Sequence, residues 1–263
     1  MKNFVLIFLL ISIMVFTSGF KNEDQVDLKD NNVNFDKIFK DYEGTFVLYD
    51  FNNNSYFKYN EVQANQRVSP CSTFKIFNSL VGLQTGVVKD ENTMKKWDEK
   101  KYSIKSWNKD HTLKTAIANS VVWYYQDVAC DIGRDRMKNY LDKVGYGNKE
   151  IGSRIDMFWL DNSLKISPKE QVDFLTKLYK EELPFNDKVI NIVKKIIVLE
   201  KENNIIFSGK TGSNGKLGWF VGYLYNNGNR YTFATNIKAE NGAYGWKAKI
   251  ITKNILRELN LLN

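Results

Sequence analysis

The 263-residue chain is poor in the side chains from which most hydrolytic centres are built. It has one histidine, His111, two cysteines, Cys71 and Cys130, and three prolines. A zinc hydrolase with three histidine ligands is therefore excluded, as is a structural zinc site built from four cysteines or from two cysteines and two histidines. A Ser-His-Asp triad survives only with His111 as its base. Hydrolytic chemistry here has to run on lysine, carboxylate or tyrosine. Nor is there a concentration of charge. The net charge is +8, but the lysines are spread evenly and read as a solvated surface, with no basic stripe for nucleic acid. At this length a core forms without disulfide or metal staples.

Long apolar runs are also scarce. The one at the start, Phe4 to Phe16, is interrupted only by Ser12, follows Lys2, and leads to the small residues Thr17-Ser18-Gly19. It is too short to span a bilayer comfortably and has the layout of a secretory signal peptide. No cysteine follows it to accept a lipoprotein anchor. The expectation is a signal peptide over 1–19, a flexible polar leader over 20–32, and a single catalytic domain over 33–263. The mature chain then works outside the cytoplasm, most simply in a periplasm, with no stable membrane association, as a monomer or homodimer. Thiols can oxidise there, and the sequence leaves open whether Cys71 and Cys130 pair.

What is present is an ordered alternation of strand and helix patterns. Thr45–Asp50 and Ser55–Tyr59 flank the turn-rich Asn52-Asn53-Asn54 and read as a hairpin. From Ser69 to about Glu200 the pattern is mostly helical. Ser69 and Pro70 read as the N-cap and first residue of a helix running to Gly86. Ser167-Pro168-Lys169-Glu170 is a capping box, and Val189–Leu199 reads as another helix. Strands return at 205–212, 218–225 and 230–237, the last two joined by the turn Asn226–Asn229. A final helix is expected to bury Trp246, Ile250, Ile255, Leu259 and Leu262 on one face. The fold class is thus α/β: an antiparallel sheet from about 33–68 and 201–263, flanked by helices, with a helical region over about 69–200 inserted. A cleft is expected where the two parts meet.

Two motifs carry chemistry. In Ser72-Thr73-Phe74-Lys75 a lysine three residues on shares a helix face with the serine and reaches its hydroxyl. Near a helix start the serine N–H is free for a developing oxyanion. Alone, Ser-x-x-Lys is common, and the plain reading is a solvated lysine beside a capping serine. In Lys210-Thr211-Gly212, at the end of a strand, lysine and threonine can bind a carboxylate. Gly212 admits close approach, and the N–H of Ser213 offers a second oxyanion donor. In this order the pair is the signature of penicillin-recognising serine enzymes.

With these motifs in view, the chain resembles the class D serine β-lactamases, the oxacillinases, over nearly all of its mature length. Ser120-Val121-Val122 matches their Ser-x-Val, and Tyr146-Gly147-Asn148 their Tyr-Gly-Asn. Phe158-Trp159-Leu160 places Trp159 at their carbamate-covering tryptophan, and Gly218–Tyr223 matches the strand after Lys-Thr-Gly. The resemblance implies the serine β-lactamase and penicillin-binding transpeptidase fold, and hydrolysis of penicillin-type antibiotics. Ser72 would be the nucleophile, Lys75 the general base as N6-carboxylysine, and Ser120 a relay between Lys75 and Lys210. Phe74, Val122 and Trp159 would keep the lysine pocket dry. CO2 or bicarbonate is the one accessory implied, with no metal and no other cofactor.

Two departures stand out. Many class D enzymes bind the substrate carboxylate with an arginine near the start of the last helix. No arginine lies between Arg230 and Arg257, and Lys247 is the nearest match, a point charge rather than a fork. Cys71 stands where many members have alanine and reads as a small buried thiol. Two other functions compete: a β-lactam-sensing domain that acylates without turnover, and a cell-wall transpeptidase. The single short apolar segment argues against the first, and the apolar residue in Ser-x-Val against the second.

Overall fold

The computed structural model describes residues 33–262; the expected signal peptide and leader lie outside them. The described chain opens with α1 (Phe35–Phe39), followed by the hairpin β1 (Glu43–Asp50) and β2 (Ser55–Tyr59). The Asp50 carboxylate accepts the N–H groups of Asn52 and Asn53, and Asn54 takes φ 51°. Short polar side chains form such turns readily. After α2 (Glu61–Ala64) the chain leaves the sheet through a 3-10 turn, Cys71–Phe74, into α3 (Lys75–Gln84).

The helical part holds a two-stranded ribbon, β3 (Met94–Lys95) with β4 (His111–Thr112), then α4 (Leu113–Ala118), α5 (Val122–Ile132), α6 (Arg134–Val144), α7 (Pro168–Lys180) and α8 (Asp187–Ile196). The capping box at Ser167 and Glu170 forms as the sequence implies, with Pro168 at the first helical position. The chain returns through β5 (Val198–Glu202), β6 (Ile205–Ser213), β7 (Gly215–Asn226) and β8 (Asn229–Ala243), and ends in α9 (Gly245–Glu258). Among the described residues, no helix is long and apolar enough to cross a membrane.

The six-stranded sheet has the order β2-β1-β8-β7-β6-β5, antiparallel throughout. The first hairpin thus joins the last strands directly, β1 against β8. Successive strand residues point to opposite faces, and both faces are covered. Phe46 and Leu48 join Phe220, Phe233, Ile251 and Ile255 under α1 and α9, while Val47 and Tyr49 join Trp219, Val221 and the helical part.

Three local expectations are corrected. The helix expected from Ser69 starts later, because Cys71 takes φ 49° and Cys71–Phe74 winds as a 3-10 turn before α3. The apolar run Val189–Leu199 covers both the end of α8 and the start of β5, since a short apolar run does not distinguish a helix end from an edge strand. On α9, Trp246 and Ile250 are exposed while Ala248, Ile251, Thr252, Ile255 and Leu256 are buried. At about 100° per residue, Trp246 and Ile255 lie roughly 180° apart, so they cannot share a face.

Candidate active site

The site lies where the 3-10 turn, the α4–α5 link and the end of β6 converge. In a 3-10 turn, residues three apart eclipse one another, so Lys75 stands directly over Ser72. Its Nζ donates to Ser72 Oγ at 2.7 Å. Lys75 is fully buried at 0% exposure. Burial, then the nearby Lys210 charge, holds its amine well below the usual lysine range. The ring of Tyr125 on α5 lies beneath the amine, with its centroid 5.5 Å from Nζ. Tyr125 Oη shares a hydrogen bond with Ser79 Oγ, which donates to Lys75 O.

Ser120 is not inside a helix. It sits between α4 and α5 in the left-handed region, φ 54°. Lys210 Nζ donates to Ser120 Oγ at 3.0 Å and to Thr211 O at 2.8 Å. Burial lowers the Lys210 amine to about 7. The Lys75–Ser72 and Lys210–Ser120 pairs are therefore two serines, each with a lysine that burial has driven toward the neutral form.

Gly212 explains how β6 reaches Ser72. A side chain there would place its first carbon 2.9 Å from Pro70 O and 3.1 Å from Ser72 N, a space only glycine leaves open. Thr211, Gly212 and Ser213 thus lie along the turn that holds Ser72. Gly245, which opens α9, is equally pressed on Thr211 and Gly212, with a first carbon 2.8 Å from Gly212 O. Two residues on, Lys247 Nζ donates to Tyr42 Oη at 2.5 Å and lies 5.2 to 6.0 Å from the ring centres of Tyr42, Trp246 and Tyr244.

Phe74 and Trp159 are fully buried and stack at 5.4 Å. The backbone oxygen of Trp159 accepts from Ser69 Oγ. Its indole Nε1 is a buried donor with no acceptor, which is rare for a buried polar group. Val122 is half-buried at the start of α5, and its neighbour Val121 is the fully buried one. Cys71 is buried and unpaired, with its thiol pushed up to about 11 by burial. Cys130 is exposed and free. His111 is buried between Thr115 Oγ1 and Ser106 O, so both ring nitrogens are engaged in holding the loop before α4. Sequence reading misses Tyr125, because an aromatic three residues past Val122 on a buried helix carries no signal apart from packing.

Comparison with known proteins agrees with this geometry. Residues 10–257 match the family described as penicillin binding protein transpeptidase domain. The probable β-lactamase YbxI of Bacillus subtilis (strain 168) is 43% identical, covering 100% of this chain and 99% of that protein. The structure of class D β-lactamase BAT-2 superposes with a TM-score of 0.84 at 45% identity, over 88% of this chain and 98% of the other. The methicillin resistance mecR1 protein of Staphylococcus aureus is 37% identical over 90% of this chain, which spans 42% of that protein.

Proposed function

The chain belongs to the class D serine β-lactamases, and from that premise we propose that it hydrolyses the amide of penicillin-type antibiotics through a Ser72 acyl-enzyme, with carbamylated Lys75 as general base. The observation that carries the reading is Lys75 itself, fully buried with its amine driven toward neutrality 2.7 Å from Ser72 Oγ. Only a neutral amine adds CO2, losing one proton as the N–C bond forms. The orphaned Trp159 Nε1 matches the donor such an anion requires. When present, the carbamate supplies an anionic base, which an ammonium cannot be.

The chain's own residues then divide the work. Ser72 Oγ gives its proton to the base at Lys75 as it attacks the lactam carbonyl, and the N–H groups of Ser72 and Ser213 receive the developing oxyanion. The ring C–N bond breaks, and the leaving nitrogen takes a proton through Ser120, whose Oγ is held by Lys210. Water then adds to the ester carbon, Ser72 regains its hydrogen, and the opened acid departs. Thr211 and Lys247 bind the substrate carboxylate. Phe74, Val122 and Trp159 keep water from the lysine. The apolar run at 4–16 exports the enzyme, and its activity confers antibiotic resistance outside the cytoplasm.

Mixing the mature protein with a chromogenic cephalosporin and following it by intact mass tests this. Turnover that falls at low pH without bicarbonate, and returns when bicarbonate is added, is the expected result. A stable adduct without turnover favours the second reading, acylation without hydrolysis, for which the likeness to mecR1 is the specific support. Lys247→Ala is expected to raise KM for several penicillins with little change in kcat. An unchanged KM removes Lys247 from the carboxylate site.

A further inference from the structure

The nucleophile turn is strained where it matters. Cys71, one residue before Ser72, holds φ 49°, a region that residues with a side chain avoid unless their surroundings impose it. Gly212 hems the turn in from the β6 side. On the other side a chain of buried hydrogen bonds grips it. Thr73 Oγ1 donates to Pro70 O at 2.7 Å, closing the turn across Cys71. Gln171 Nε2 donates to Thr73 Oγ1 at 2.8 Å, and Tyr146 Oη donates to Gln171 Oε1 at 3.5 Å. Gln171 is 1% exposed.

Threonine has a single hydroxyl hydrogen. Because Gln171 supplies an N–H to the Thr73 oxygen, that hydrogen is committed to Pro70 O. The Gln171 amide presents its nitrogen to Thr73 and its carbonyl to the Tyr146 phenol. The helix that carries Gln171 is tied to the segment leading into the turn: Arg67 grips Glu170 through Nε and Nη2, and Val68 pairs with Ile166 just before the helix.

We propose that Gln171 is a positioning residue for the nucleophile, holding the Pro70–Ser72 turn through Thr73 so that the Ser72 hydroxyl and N–H meet the substrate carbonyl. Gln171 touches no reacting atom. This inference rests on the reading of Ser72 as the nucleophile.

The test is the acylation rate of a chromogenic cephalosporin by stopped flow, with folding checked by circular dichroism. Gln171→Met and Thr73→Val are each expected to slow acylation by about 10- to 100-fold, the effect of a small misplacement of reacting groups. Acting through one path, the double variant is expected to be no slower than the slower single variant. Thr73→Ser, which keeps the hydroxyl, is expected to restore the rate. A folded Gln171→Met that acylates at the wild-type rate overturns the proposal, and so do losses that multiply in the double variant. If Gln171→Met does not fold, the contrast between Thr73→Val and Thr73→Ser decides, and equal rates for those two overturn it. A wild-type protein that forms no acyl adduct refutes the nucleophile reading itself, an outcome distinct from unchanged variants.

Discussion

Lys75→Met is expected to lower turnover of a chromogenic cephalosporin by about 10²- to 10⁴-fold, the usual contribution of a general base. Methionine keeps most of the lysine stem, so the buried space beside Tyr125 stays filled while the amine is lost. Two signs should accompany the loss. Any acyl adduct that forms should persist in the mass spectrum, because the base proposed for both half-reactions is gone. Added bicarbonate should make no difference, because its target is gone. A variant that retains more than about a tenth of wild-type turnover would place the base elsewhere. Cys71 and His111 are poor alternatives, since the Cys71 thiol is pushed up to about 11 and both nitrogens of His111 are occupied, so the competing base is Lys210, held at about 7.

Lys210→Met is expected to cost activity and yield stability. Lys210 sits at about 7 in the folded chain against 10.5 for a free lysine. Between those values the unfolded chain binds the extra proton, so stability rises with pH across that window and the penalty is fully present below it. At neutral pH the penalty is on the order of 4 kcal/mol. Methionine abolishes it but leaves Ser120 Oγ and Thr211 O without their donor, at about 1–2 kcal/mol. A net gain of about 2 kcal/mol corresponds to a melting temperature roughly 4–8 °C higher at pH 7 for a domain of this size. Scanning calorimetry from pH 7 to 10 checks it: the wild-type melting temperature should climb more steeply than that of the variant. Parallel curves would show that Lys210 is not held neutral. Turnover should fall by about 10²-fold, as the proposed relay at Ser120 loses its hydrogen-bond partner.

The trade is general to this site. Two lysines, a left-handed serine and a left-handed cysteine are each unfavourable alone, and they are tolerated because the surrounding packing fixes them.

Much of this is legible from residue order. The capping box at Ser167, the three closing strands and the return of the sheet at both ends follow from local rules, and local rules decide them. The pairing of Ser-x-x-Lys with Lys-Thr-Gly names the residues that the fold brings together. What stays hidden depends on backbone detail or on distant partners. The φ of 49° at Cys71 belongs to a turn with Gly212 of β6 on one side and Gln171 of α7 on the other, and nothing in the word Cys announces it. Ser120 reads as a helical residue until its own left-handed φ separates α4 from α5. Tyr125 and Gln171 are ordinary core and helix residues in a linear reading, and matter only through what lies opposite them. The face of α9 escapes for a simpler reason, a periodicity stretched over nine positions.

The neighbourhood of β1 and β8 has a consequence in time. β1 is among the first elements to be synthesised, yet its partner in the sheet, with the register Phe46↔Thr235, is among the last. Such distant pairing is slow to form, because the intervening chain must be closed into a loop first. Ser72 is made long before Lys210, so a growing chain carries the proposed nucleophile without the rest of its site. A chain exported while unfolded would become reactive only after its last strand had closed the sheet, beyond the compartment in which it was made.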